Sequence, residues 1–151
     1  MEKWPESLKK AKQHFDIADH MAYVSFVILK ENRLMIKIIN EMYSSVICLI
    51  KAMLDYEFEN KRIRIYHDSA LNFKTFRERV GNMYLAKKEM ELILIIINLE
   101  KQHKQSEMEF VKNEKFVIMN GERYETLTIE KIKGLLSILR GIMNKVSGML
   151  K

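Results

Sequence analysis

The chain has 151 residues, 48% of them apolar, which fits one domain with a sizeable core. A single proline, five glycines and one cysteine argue against a strand-rich fold and exclude a disulfide framework, so a reducing compartment is expected. The net charge of +6 favours an anionic partner over an acidic-tail or strongly acidic role.

Trp4-Pro5 opens a first helix, with the proline in the first turn where its missing N–H costs nothing. Leu8, Ala11, Phe15, Ala18, Ala22, Phe26 and Leu29 mark one face of it as far as about Lys30, and Ala11, Ala18 and Ala22 keep that face slim. His14 and His20 lie about 240° apart around this helix, which makes them poor co-ligands for a metal. Glu31 and Asn32 form a short break that implies an antiparallel helical hairpin.

A second helix starts near Arg33. Met35, Ile39, Met42, Val46, Leu49, Met53 and Tyr56 step by four and three along a packed seam. Ile36, Tyr43, Ile47, Ile50 and Leu54 run beside it, so this helix is covered on more than one side. Ser45, Cys48 and Ala52 form a small-residue stripe that matches the alanines of the first helix, and Cys48 reads as a small core residue.

The second helix frays near Glu59 and Asn60. It gives way to Lys61-Arg62-Ile63-Arg64-Ile65-Tyr66-His67-Asp68, an extended or irregular connection. Between Lys61 and Lys88 eight basic residues (Lys61, Arg62, Arg64, Lys74, Arg77, Arg79, Lys87, Lys88) face only Asp68 and Glu78, so this segment carries the whole net charge. Lys61, Arg62, Arg64, Lys74, Arg77 and Arg79 are the candidate nucleic-acid contacts; a solvated basic face without a ligand is the alternative. Asp68 or Ser69 caps a shorter third helix carrying Leu71, Phe73, Phe76 and Val80, which Gly81-Asn82 is expected to end.

A fourth helix is expected over roughly Tyr84 to Glu107, with Leu85, Leu92, Ile96 and Leu99 in phase. Glu100 and His103 have the Glu-x-x-His spacing of di-iron bundles, but those sites need a second such pair and two more carboxylates, which the sequence lacks. No metal or cofactor is therefore expected. Lys115–Met119 and Glu122–Thr126 read as two short strands around a type I′ turn at Asn120-Gly121, within an insertion of about 110–127. Thr128 caps a last helix whose buried face holds Ile129, Ile132, Leu135, Leu139, Ile142, Val146 and Met149.

Gly134, Gly141 and Gly148 recur every seven residues on this last helix. Each costs roughly 0.8–1.0 kcal/mol against alanine, which close approach of another helix, within the chain or across a dimer, would offset. A loosely formed C-terminal helix is the other reading.

The fold expected is all-α: one domain over residues 1–151, an antiparallel bundle of four to five helices with a small β-hairpin before the last. Such a bundle with Arg62-Ile63-Arg64-Ile65-Tyr66-His67, an Arg-x(4)-His element, resembles the HEPN superfamily. The stretch Glu109-Phe-Val-Lys-Asn-Glu-Lys-Phe-Val-Ile-Met-Asn-Gly also resembles a group of uncharacterised archaeal helical proteins. The HEPN resemblance implies a homodimer. In its ribonucleases it implies metal-independent cleavage at a cleft between protomers, with His67 moving protons at the 2′-OH and Arg62 holding the scissile phosphate. Three functions follow as expectations: a dimer that binds RNA or a protein partner without catalysis, a toxin-like ribonuclease held by an antitoxin, and a structural adaptor. The polar, charged residues before the first helix do not read as a signal peptide, and the densest apolar run, Leu92 to Leu99, falls short of the ~20 residues a bilayer span needs. A cytoplasmic protein without membrane contact is expected.

Overall fold

The computed structural model describes residues 2–151, and among them lie five helices and a three-stranded antiparallel sheet. Helix α1 covers Trp4–His20, passes through a π turn at Met21–Ser25 and ends with Phe26–Leu29. Lys30 closes it in the left-handed region at φ 50°. Helix α2, Leu34–Glu59, returns antiparallel along it.

The small residues explain the closeness of this pair. Ala11, Ala18 and Ala22 of α1 and Ser45 and Ala52 of α2 have no accessible surface. The Ser45 hydroxyl donates to the Ala11 carbonyl at 2.8 Å, so an α2 side chain reaches the α1 backbone itself. Cys48 is only half-buried against the core, and burial pushes its thiol up. The seam of α2 is buried as its spacing predicts: Met35, Ile39, Met42, Val46, Leu49 and Met53 are all inaccessible to solvent.

Helix α3 runs from Ser69–Thr75 through a π turn at Phe76–Val80 into Gly81–Tyr84. Gly81 therefore does not stop the helix as expected. It has ordinary helical dihedrals, and a β-carbon there would run into the Met90 methyl and lie 3.0 Å from the Phe76 carbonyl. The glycine serves close packing, and the break comes at Leu85 and Ala86, whose backbones are extended. Helix α4 is consequently shorter than expected, Lys87–Lys104, with Glu89 accepting from the Ala86 N–H at 2.7 Å.

The expectation of an all-α fold with one hairpin needs correction. Strand β1, Met108–Lys112, precedes β2, Lys115–Asn120, and β3, Arg123–Leu127, in a sheet of order β1-β2-β3. Asn113 and Glu114 form the first tight turn, both with positive φ (52° and 63°). The second turn is centred on Gly121-Glu122, because Asn120 pairs with Arg123. Gly121 stands first with φ 62° while Glu122 stays out of the left-handed region, which is the pattern of a type II′ turn and not the type I′ expected. Alternation turns Phe116, Ile118 and Leu127 into the core, and this fixes the sheet on the bundle.

Helix α5, Ile129–Met149, starts at Thr128, whose hydroxyl accepts from the Lys131 N–H at 3.2 Å. Ile132, Leu136, Leu139, Ile142 and Val146 are fully buried against α1, α2 and α4. The glycine row does not face another helix of the chain. Gly134, Gly141 and Gly148 are exposed, and a β-carbon on any of them would meet nothing within 4 Å. No helix among the described residues is long and apolar enough to cross a membrane.

Candidate functional site

The basic connection is built on the way α2 ends. Lys61 adopts φ 61°, the Lys61 N–H donates to the Phe58 carbonyl at 2.9 Å and the Arg62 N–H to the Glu57 carbonyl at 2.9 Å. These are the paired bonds of a Schellman termination, with lysine in the place that glycine usually takes. The turn throws Arg62 back over Glu57.

Glu57 is fully buried, and both of its oxygens are used. Oε1 accepts from the Tyr84 hydroxyl at 3.0 Å and Oε2 from the Arg62 Nε. Burial, then the bond to Glu57, pushes the Tyr84 phenol well above its ordinary range. The hydrogen bond that Arg62 donates to Glu57 likewise raises its guanidinium. Arg62 lies 5.9 Å from the centre of the Tyr56 ring, which in turn meets Trp4 edge-on at 5.5 Å. One guanidinium edge is thus occupied by protein, and about half of the side chain remains accessible.

The far end of the connection is held by a single carboxamide. Asn72 Oδ1 accepts from the Tyr66 N–H at 2.7 Å, and its Nδ2 donates to the Tyr66 carbonyl at 2.8 Å. Asp68 caps α3 by accepting from the Ala70 N–H at 2.9 Å, as expected. Between these anchors Ile63 packs on the core. Ile65 helps line a groove of about 270 Å³ with Ile47, Ile50, Leu54 and Phe73. Asp55 sits beside that groove, buried, bonded to Lys51 at 2.8 Å and approached by Ser7 at 3.4 Å.

The six candidate cations divide into two kinds. Arg62 is committed to Glu57, and Arg79 donates to the Arg62 carbonyl at 3.2 Å, so these two support the connection. Lys61, Arg64, Lys74 and Arg77 are exposed, and among the described residues none has a carboxylate within 4 Å. Lys74 and Arg77 line a cleft with Ala70, Phe73 and Glu78. His67 is exposed and has no hydrogen-bond partner among the described residues. Neither Arg62 nor His67 lines the groove or the cleft beside them.

Sequence reasoning missed Glu57, Tyr84 and Asn72. A signal existed for Glu57: it lies one turn beyond Met53, so the buried seam of α2 runs straight into a carboxylate that must find donors. At the other end of α2, Glu100 of α4 accepts from Asn40 at 3.0 Å, and His103 is joined to Glu109 of β1 at 2.5 Å. The two residues of the Glu-x-x-His spacing therefore turn to different partners. Among the described residues no group of three His, Cys, Asp or Glu side chains is placed to hold a metal. No family model matches the chain, and comparison with curated proteins and with solved structures finds no match.

Proposed function

We propose that this chain is a HEPN-like helical bundle that binds RNA through the connection Lys61–Asp68 and the adjoining face of α3, without cleaving it. One observation carries this reading: of four unpaired cations, Lys61 and Arg64 stand on a connection held at its two ends by Glu57 and Asn72, and Lys74 and Arg77 stand on the helix that follows. A backbone already held in place loses little freedom on meeting phosphates, and unpaired cations gain affinity from released counterions. The proposed assembly is a homodimer. Its motive is the bare apolar run Val24, Val27, Ile28 and Leu29 at the end of α1, where Ile28 is 73% exposed.

The test is RNA binding across a range of salt concentrations, comparing the parent with Arg64→Glu/Lys74→Glu/Arg77→Glu. Each lost phosphate contact on a single strand should flatten the slope of log K against log[salt] by about 0.7. Equal affinity and slope in both proteins would overturn the reading and leave a protein partner, such as an antitoxin, or an adaptor role.

Metal-independent cleavage by Arg62 and His67 is the second reading. It draws on the fixed guanidinium, since Glu57 takes Nε and leaves the Nη atoms to face a phosphate. Cleavage in excess chelator that His67→Ala abolishes would establish it in place of binding alone.

A further inference from the structure

A second site lies away from the basic connection. Glu100 meets α2 at Asn40, about 25 Å along that helix from Glu57 at 1.5 Å per residue. At this end the last turns of α4 and the inner face of the sheet enclose a cleft of about 330 Å³. That volume is at the lower end of the range that holds small molecules.

Each wall of the cleft brings carboxamide and one cation. Asn98 and Gln102 of α4 and Gln105, which ends it, are spaced by four and three, so three carboxamides line one side, with Lys101 beside them. From the sheet, Asn120 and Arg123 face each other in register, and buried Ile118 enters the lining between the walls. The Asn120 Nδ2 donates to the Gln102 carbonyl at 3.2 Å and ties the walls together. The one carboxylate of the lining, Glu125, is already taken by Lys131 at 2.8 Å. Among the described residues Lys101 and Arg123 have no such partner.

Gln102 adds an independent observation. Its Oε1 is shut off from solvent, and no described residue donates to it. An orphaned buried acceptor costs about 1–3 kcal/mol, and the terminal torsion of glutamine is soft. Rotation of the carboxamide carries this oxygen into the cleft, where a donor on a bound molecule would relieve that cost.

We propose that this cleft binds a small phosphate ester bearing its own hydrogen-bond donors, with Arg123 and Lys101 on the phosphate and the Gln102 carboxamide on a hydroxyl or amino group. A nucleoside monophosphate and a sugar phosphate share this chemistry. Guanidinium forks onto phosphate oxygens, carboxamides both donate and accept, and together they read one anionic end and one polar body.

The test is titration of the full chain with adenosine 5′-monophosphate, ribose 5-phosphate, inorganic phosphate and adenosine, followed by calorimetry and by the side-chain amide NMR signals of Asn98, Gln102 and Gln105. At least one ester should bind ten-fold or more tightly than inorganic phosphate and than adenosine, and should shift those amide signals. Binding of the nucleotide alone or of both esters distinguishes the two sources. Arg123→Gln, at an exposed position, should weaken the ester about ten-fold. Gln102→Met should weaken the ester toward the level of inorganic phosphate while leaving inorganic phosphate unchanged. Lys74→Glu/Arg77→Glu should change neither, which separates this site from the basic connection. Failure of both esters to bind at millimolar concentration, equal binding of ester and inorganic phosphate, or shifts confined to residues 61–79 would each overturn the proposal.

Discussion

Helices α1 and α5 both carry rows of small side chains, and of these two only the row on α1 is covered. On α1, Ala11, Ala18 and Ala22 are interleaved with Leu8 and Phe15, and all five lie in the core. There the small residues let α2 approach until Ser45 bonds the α1 backbone. On α5, Gly134, Gly141 and Gly148 share their face with Ser137, exposed Ile138 and Lys145, and nothing packs over them. A small-residue row records close approach only when the large residues between its members are themselves buried.

The sharpest way to break this comparison is to add bulk to the covered row. Ala18→Leu places three more carbons where α1 and α2 have no space, and overpacking of this kind costs about 1–3 kcal/mol. Urea unfolding should show a lower midpoint with little change in slope. An unchanged midpoint would mean that the α1–α2 contact is looser than the Ser45 bond implies.

Adding a methyl to the bare row should do the opposite. Gly141→Ala meets nothing within 4 Å and keeps helical dihedrals, so the gain is the helix-propensity difference of roughly 0.8–1.0 kcal/mol. For a domain of this size that is an increase in Tm of about 2–4 °C. If stability falls instead, and sedimentation shows a smaller species than the parent, a second copy covers the glycines and the proposed dimer runs through α5.

The sequence already held the clue that separates the rows. Gly141 lies two positions from both Leu139 and Met143, about 200° around the helix from each. The row therefore sits opposite the buried face formed by Ile132, Leu136, Leu139, Met143 and Val146. The seven-residue spacing was legible, and so was the side it occupies. Whether anything lies over that side depends on assembly, which one sequence does not encode locally. The helices, the caps at Asp68 and Thr128 and the β2–β3 hairpin, though not its register, were legible because short-range periodicity and side-chain capping create them. Strand β1 was not: its turn places Asn113 and Glu114 at positive φ, and glutamate gives no warning of that. The cations of the candidate site were legible as charge. Their anchoring was not, because Glu57 and Tyr84 belong to helices that meet only in the folded chain.

The smallest effect concerns what flanks the bare row. Arg140 is paired with Asp19 of α1 at 2.6 Å, and Lys145, one turn past Gly141, with Glu89 of α4 at 2.7 Å, so α5 is tied on both sides by ion pairs. Partial burial acts to raise Glu89, but the Lys145 ammonium and the Ala86 N–H together outweigh it and hold the carboxyl below its usual range. A carboxyl with a lowered folded pKa contributes stability above its unfolded pKa, near 4.3, and loses that contribution as the pH falls through the folded value. Glu89→Gln removes the charge while keeping an acceptor for Ala86. It should lower stability at pH 7 by a few tenths of a kcal/mol, as expected for a pair whose lysine is 43% exposed. The difference from the parent should close below pH 4 and shrink in high salt. A difference that persists unchanged at pH 3 would place the cost in the cap at Ala86 and not in the ion pair, leaving α5 tied on the α1 side by Arg140 alone.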